Sequence, residues 1–173
     1  HRAYEDDALP IGLGQTISQP YVVARMIAAL REGGRELGRV LEVGSGCGYQ
    51  AAVLAQLATE VYSIERIQAL LDRARRNLLG LKLSNLRLVY GDGNAGLEKV
   101  APFDSIILAA AAPEIPQVLL QQLAINGRMI LPLKTPDAGR GTQQLVLIDR
   151  TARGFTETRL DAVRFVPLEA GKI

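Results

Sequence analysis

Three carboxylates, Glu42, Glu65 and Asp92, each stand at or beside the end of an apolar run, and the glycines Gly44, Gly46 and Gly48 follow the first of them. An apolar strand feeding a glycine turn that opens a helix is the layout that holds a nucleotide-like cofactor. The glycines permit a sharp turn and a close ligand, and the helix presents its free N–H groups. The spacing is GxGxG rather than GxGxxG, and the acidic Glu42 precedes it, which favours S-adenosylmethionine over NAD. Glu42, Gly44, Ser45 and Gly46 are therefore cofactor-binding candidates. About twenty residues on, the run Val61-Tyr62-Ser63-Ile64 ends in Glu65, placed to take a ribose diol. The run Leu86 to Tyr90 ends in Gly91-Asp92-Gly93, where Asp92 can accept from an adenine amino group and Gly93 keeps space for the ring. Singly, these acids are ordinary surface or turn residues; together, three strand ends point at one ligand.

The elements that must position them alternate between strand and helix signals. This predicts an α/β fold, a doubly wound and mostly parallel sheet flanked by helices, Rossmann-like, with ligands beyond the carboxyl ends of its strands. Val22, Val23, Met26, Ile27 and Leu30 have helical spacing, with Pro20 in the first turn and Gly33-Gly34 as the stop. Strands are expected over 40–43, 61–64, 86–90, 103–108, 129–133 and 145–148. Helices are expected over about 49–57, through Ile67, Leu70, Leu71, Ala74 and Leu78, and over about 116–123. Residues 137–141 read as a surface loop.

Size and charge agree with a cofactor-binding globule. The chain has 173 residues, 48% hydrophobic and 22% charged, enough for one sizeable core and one domain over 1–173. The net charge of +2 is small, and Arg73, Arg75 and Arg76 read as a solvated helix face rather than a nucleic-acid patch. One cysteine excludes an internal disulfide, and no apolar run is long enough to span a bilayer. The expectations are a cytoplasmic chain, with no nucleic-acid or membrane partner.

Several strings resemble the protein-L-isoaspartate O-methyltransferase family. They are Ala8-Leu9-Pro10-Ile11-Gly12, Gly14-Gln15-Thr16-Ile17-Ser18-Gln19-Pro20, the run from Leu41 to Gln50, Gly91-Asp92-Gly93, Ala110-Ala111-Ala112-Pro113-Glu114-Ile115-Pro116 and Arg164-Phe165-Val166-Pro167-Leu168. The glycine loop is common to many methyltransferases, whereas the strings at 14–20 and 110–116 are specific to this family. The resemblance implies methyl transfer from S-adenosylmethionine to the free carboxylate of L-isoaspartyl residues in damaged proteins, an ester that collapses to a succinimide, and S-adenosylhomocysteine as product. It places the active-site hydroxyl in the segment Thr16-Ile17-Ser18, with Ser18 bonding the substrate carboxylate as the catalytic candidate. Thr16, Ile17, Val166 and Pro167 become substrate-binding candidates. It also implies a further N-terminal helical segment ahead of the part matched from His1, and the expected state of the chain is a monomer. Cys47 stands where the family often has serine, and Asn94 where it often has an aromatic residue.

The residue types suit a carboxylate acceptor. A carboxylate with a reference pKa of about 3.9 is ionised at neutral pH and needs no general base. Alignment can then supply roughly 7 to 11 kcal/mol. The alanines 109–112 offer neither the polar residue expected of a base-amino methyltransferase nor acidic metal ligands, and no metal is expected. Cys47 lies in the cofactor loop, away from a methyl acceptor. Competing structural uses remain open at this stage: Ser18 as a helix cap, Val166 to Leu168 as a plain sheet edge rather than a peptide-pairing strand, and the alanines as close packing. Also open are another carboxylate acceptor, a noncatalytic nucleotide-binding module and a Rossmann dehydrogenase.

Overall fold

The computed structural model describes residue 2 and residues 4–136 and 142–173; the loop expected at 137–141 lies outside the described residues. In chain order the elements are β1 (Leu9–Gly12), β2 (Gln15–Ile17), α1 (Pro20–Arg31), β3 (Arg39–Val43), α2 (Tyr49–Leu57), β4 (Glu60–Glu65), α3 (Gln68–Leu78) and β5 (Leu86–Tyr90). They continue with β6 (Phe103–Leu108), α4 (Gln117–Gln122), β7 (Leu123–Lys134), β8 (Gln143–Thr151) and β9 (Gly154–Val163). Strands β3 to β9 form one seven-stranded sheet in the order β5-β4-β3-β6-β7-β8-β9. The first five in that order run parallel, and β8 and β9 add antiparallel at one edge.

Period-two alternation sorts the sheet's side chains into two cores. Val40, Val61, Ile107, Ile130 and Leu147 meet α1 and α2 residues such as Met26, Leu30 and Leu54. Their neighbours Leu41, Ile106, Leu108, Met129 and Ile148 meet Leu119 and Leu120 of α4. The chain order reverses between β3 and β6, and at such a switch point the carboxyl ends of the strands splay into a crevice. Gly44 and Ala109 follow those two strands, with Ala109 N–H bonded to the Val43 carbonyl at 2.9 Å.

Helix α1 buries Val23, Met26, Ile27 and Leu30, the spacing expected, and stops before Gly33 and Gly34, both with positive φ. Its cap is Gln19, not Ser18, and no capping side chain is local. The orphan N–H of Tyr21 instead donates to Asp6 Oδ1 at 2.8 Å, and the Gln19 amide donates to the Asp6 carbonyl at 2.7 Å. A residue fourteen positions upstream thus caps the helix, so the capping use of Ser18 is removed.

Three features depart from the expected elements. The β1–β2 hairpin was not foreseen; Arg73 holds it by donating to the Ile11 carbonyl. Strand β7 starts at Leu123, immediately after α4, with Asn126 at positive φ and a register shift against β6. Strand β9 is exposed along most of its length and buries only Val163, so it carries no apolar alternation to read. Arg75 and Arg76 stay on an exposed face, as expected.

Gly48 turns the glycine loop into α2 with φ of 92°, and a Cβ there would lie 2.8 Å from Leu78 Cδ1. Gly48→Ala is expected to lower stability by about 2 kcal/mol through left-handed strain and this clash, read as a shifted urea midpoint at constant slope.

Candidate functional site

A cavity opens at the carboxyl ends of β3, β4 and β6, with about 810 Å³ of non-atom space that includes its solvent-filled mouth. Gly44, Ser45, Gly46, Glu65 and Gly93 line it, as do Thr16, Ile17, Ser18, Val166 and Pro167. Residues spread from 16 to 167 in sequence thus meet at one site. The structure places Glu42 and Asp92 off its wall.

Glu65 ends β4 and is 5% exposed. Its Oε2 accepts the Gly46 N–H at 2.9 Å and its Oε1 accepts the Ile67 N–H at 3.0 Å. Each oxygen keeps a lone pair, so the carboxylate is oriented by the backbone and free to accept hydroxyl protons from a ligand.

Glu42 is wholly buried. Ser45 Oγ lies 2.5 Å from Ser63 Oγ, and Ser63 donates to Glu42 Oε1, so a buried chain ties the loop to β3 and β4. Burial pushes the Glu42 carboxyl up to about 7; Ser63 and the Gln50 amide oppose this, and the Glu65 charge adds to it. Above its ordinary value near 4.5 the unfolded chain releases a proton that the folded chain keeps up to about 7. Stability therefore falls as pH rises through that window. At about 1.4 kcal/mol per unit, the loss reaches roughly 3 kcal/mol above the window. Glu42→Gln is expected to abolish this slope, gaining roughly 3 kcal/mol at about pH 8 and little at about pH 4.5 by urea unfolding.

Asp92 caps the 3-10 turn Gly93–Ala95. Its Oδ1 accepts the N–H and side-chain amide of Asn94, and its Oδ2 accepts the Gly171 N–H at 2.9 Å. Burial disfavours its charge, but these N–H groups and Arg66 outweigh it and hold the carboxyl below its usual range. The turn puts Gly93 against β3, where a Cβ would lie 2.3 Å from Val43 Cγ1.

Ser18 is half-buried, and its hydroxyl has no hydrogen-bond partner among the described residues. It also borders a neighbouring groove lined by Gln19, Val22, Arg164 and Phe165. In the segment at 166–168, the Val166 carbonyl accepts from Ala111 N–H at 2.7 Å, and Leu168 N–H donates to the Ala111 carbonyl at 2.8 Å. These two bonds commit one side of the segment to Ala111. Alanines 111 and 112 are fully buried between β7 and this segment, whereas Ala109 and Ala110 face the cavity, so the run is both packing and wall. Half-buried Cys47 also stands on the wall.

Gln50 was missed. It lies one residue inside α2, is 7% exposed and lines the cavity. Among the described residues, the buried side-chain polar atoms without a hydrogen bond of normal geometry are both Gln50 amide atoms and Glu42 Oε2, although the Gln50 amide lies near enough to favour the Glu42 charge. Such atoms are costly unless a ligand completes them. A polar ligand with donors and acceptors at the α2 end and a diol at Glu65 satisfies both, and S-adenosylmethionine has those groups. No cluster of three or more metal-ligating side chains occurs among the described residues.

The family model for protein-L-isoaspartate(D-aspartate) O-methyltransferase matches residues 1–172. The chain belongs to the protein-L-isoaspartate O-methyltransferase family. The family's member from Azoarcus sp. (strain BH72) is 61% identical over 171 residues, 99% of this chain and 76% of that one. That from Dechloromonas aromatica (strain RCB) is 57% identical over 98% of this chain and 76% of its own. A crystal structure of a Plasmodium falciparum protein described as a protein-L-isoaspartate O-methyltransferase, in complex with S-adenosyl-L-homocysteine, has a TM-score of 0.80. It shares 29% identity over 96% of this chain and 81% of its own. The parallel sheet with an antiparallel edge is thus the class I methyltransferase fold of this family; the alternation of elements implied its doubly wound, mostly parallel sheet.

Proposed function

We propose that this chain transfers the methyl group of S-adenosylmethionine to the free carboxylate of L-isoaspartyl residues in damaged proteins. Membership of the isoaspartate methyltransferase family along 1–172 carries the reading, and the cavity supports it. The bound cofactor supplies an electrophilic methyl on a sulfonium, with S-adenosylhomocysteine as the leaving product.

The chain's own residues bind and align. Glu65 takes the ribose hydroxyls, the loop at Gly44, Ser45 and Gly46 gives the ligand close approach to the backbone, and Gln50 binds the polar methionine end. Glu42 and Asp92 serve by holding the loop and the Gly93 turn. Ser18 donates to the acceptor carboxylate, with Thr16 and Ile17 beside it and Val166 and Pro167 opposite. The acceptor is already ionised, so no side chain need remove a proton. The groove beyond Ser18 admits a flexible peptide. The methyl ester then loses methanol as the following main-chain nitrogen attacks, giving the succinimide.

This reading includes one methyltransferase domain over 1–173 and a monomer working in the cytoplasm without nucleic acid. No helix among the described residues is long and apolar enough to cross a membrane. Incubation with methyl-labelled S-adenosylmethionine and an isoaspartyl peptide tests it: base-labile label in the peptide is expected. Base-stable label marks nitrogen or carbon methylation and contradicts the proposal.

A further inference from the structure

The last five residues run across the ends of β4 and β5 and bond to both turns there. Arg66, next to Glu65, donates to Glu169 Oε2 at 2.9 Å and to the Gly171 carbonyl at 3.1 Å. Ile173 N–H donates to the Arg66 carbonyl at 2.8 Å, and the Ile173 carbonyl accepts from Gln68 N–H at 2.8 Å. That second bond satisfies an orphan donor of α3, whose cap residue Ile67 supplies no side-chain bond. On the other turn, Gly171 N–H holds Asp92 Oδ2 and the Asn94 amide donates to the Glu169 carbonyl at 3.3 Å. Lys172 Nζ lies 5.0 Å from the Tyr90 ring centroid, at the end of β5.

One turn carries Glu65, Arg66 and Ile67 and the other carries Gly93, all on the cavity wall, which Glu169 of the segment itself also reaches. A single segment therefore sets the distance between two walls that belong to different strands. We propose that residues 169–173 are a positioning clasp that preorganises the adenosine end of the cofactor cavity; this rests on the cavity being the S-adenosylmethionine site. Fixing both turns before binding removes an ordering cost from association, so the clasp acts on cofactor affinity and not on the methyl acceptor.

Two full-chain variants test it. Gly171 has φ of 79°, and it does not line the cavity. Gly171→Pro removes the N–H that Asp92 accepts and cannot adopt that φ, so it dislodges the clasp without touching ligand. Glu169→Ala removes the ion pair with Arg66; because Glu169 and Arg66 themselves line the cavity, Gly171→Pro is the variant that acts through the clasp alone. Calorimetry with S-adenosylhomocysteine is expected to show affinity weakened roughly tenfold in Gly171→Pro and roughly threefold in Glu169→Ala. The KM for S-adenosylmethionine should rise in parallel, with kcat at saturation and the KM for an isoaspartyl peptide unchanged. Affinities equal to or tighter than those of the unaltered chain, or a fall in kcat with the cofactor KM unchanged, overturn the clasp. An unaltered chain that binds no S-adenosylhomocysteine overturns the reading of the cavity, and the clasp with it.

Discussion

Ser18→Ala is expected to lower kcat/KM for an isoaspartyl peptide about a hundredfold, while S-adenosylhomocysteine affinity and melting temperature stay where they are. The carboxylate and the sulfonium lose their charges together as the methyl moves, so a hydroxyl cannot act by stabilising a growing negative charge. Its use is to hold one oxygen of the acceptor so that the other lies in line with the methyl–sulfur bond. A misplacement of about 1 Å costs on the order of a hundredfold in such a displacement. The stability half of the expectation follows from the fold. The Ser18 hydroxyl has no hydrogen-bond partner among the described residues, and Gln19 and Asp6, not Ser18, form the start of α1. A variant that melts earlier but turns over normally contradicts the assignment.

Glu65→Gln is expected to weaken S-adenosylhomocysteine binding about a hundredfold or more, since each hydrogen bond to a charged group contributes about 1.5 to 3 kcal/mol. The substitution conserves shape but not bonding. Both carboxylate oxygens accept a backbone N–H, from Gly46 and from Ile67. An amide must turn its NH2 against one of these donors, which disturbs either the glycine loop or the turn before α3. The ribose hydroxyls lose a charged acceptor at the same time. Calorimetry checks it; affinity within threefold of the unaltered chain would remove Glu65 from the cofactor site. The peptide KM extrapolated to saturating cofactor should stay constant, which separates this variant from Ser18→Ala.

How far these features could be read from the sequence depends on where their chemistry resides. The place of Glu65 on the cavity wall was legible from a carboxylate at a strand end, about twenty residues beyond a glycine loop. Glu42 and Asp92 also stand at or beside strand ends, yet neither lines the cavity. Position in sequence fixes nearness to the loop but not which way a side chain leaves the sheet. Ser18 was legible only through family resemblance, because a serine before a proline is equally a cap. Gln50 carries no signal of its own in the sequence; its significance is two buried amide atoms without a hydrogen bond of normal geometry, a property of packing. The clasp left no mark at all, since Gly171 and Ile173 act through the main chain. The central strands were readable from apolar runs, whereas β9 was not, being an edge strand whose residues face solvent on most of its length. The hairpin β1–β2 is too short for its period-two pattern to register.

The most direct measurement compares two peptides that differ only in one linkage, L-isoaspartyl or normal aspartyl, as acceptors of label from S-adenosylmethionine. The isoaspartyl peptide offers a free α-carboxylate on a chain that continues through the β-carbon, and it alone should be labelled, in a form released by base. Equal labelling of both peptides would contradict selectivity for the isoaspartyl linkage, and no labelling of either, with S-adenosylhomocysteine still bound, would contradict methyl transfer itself.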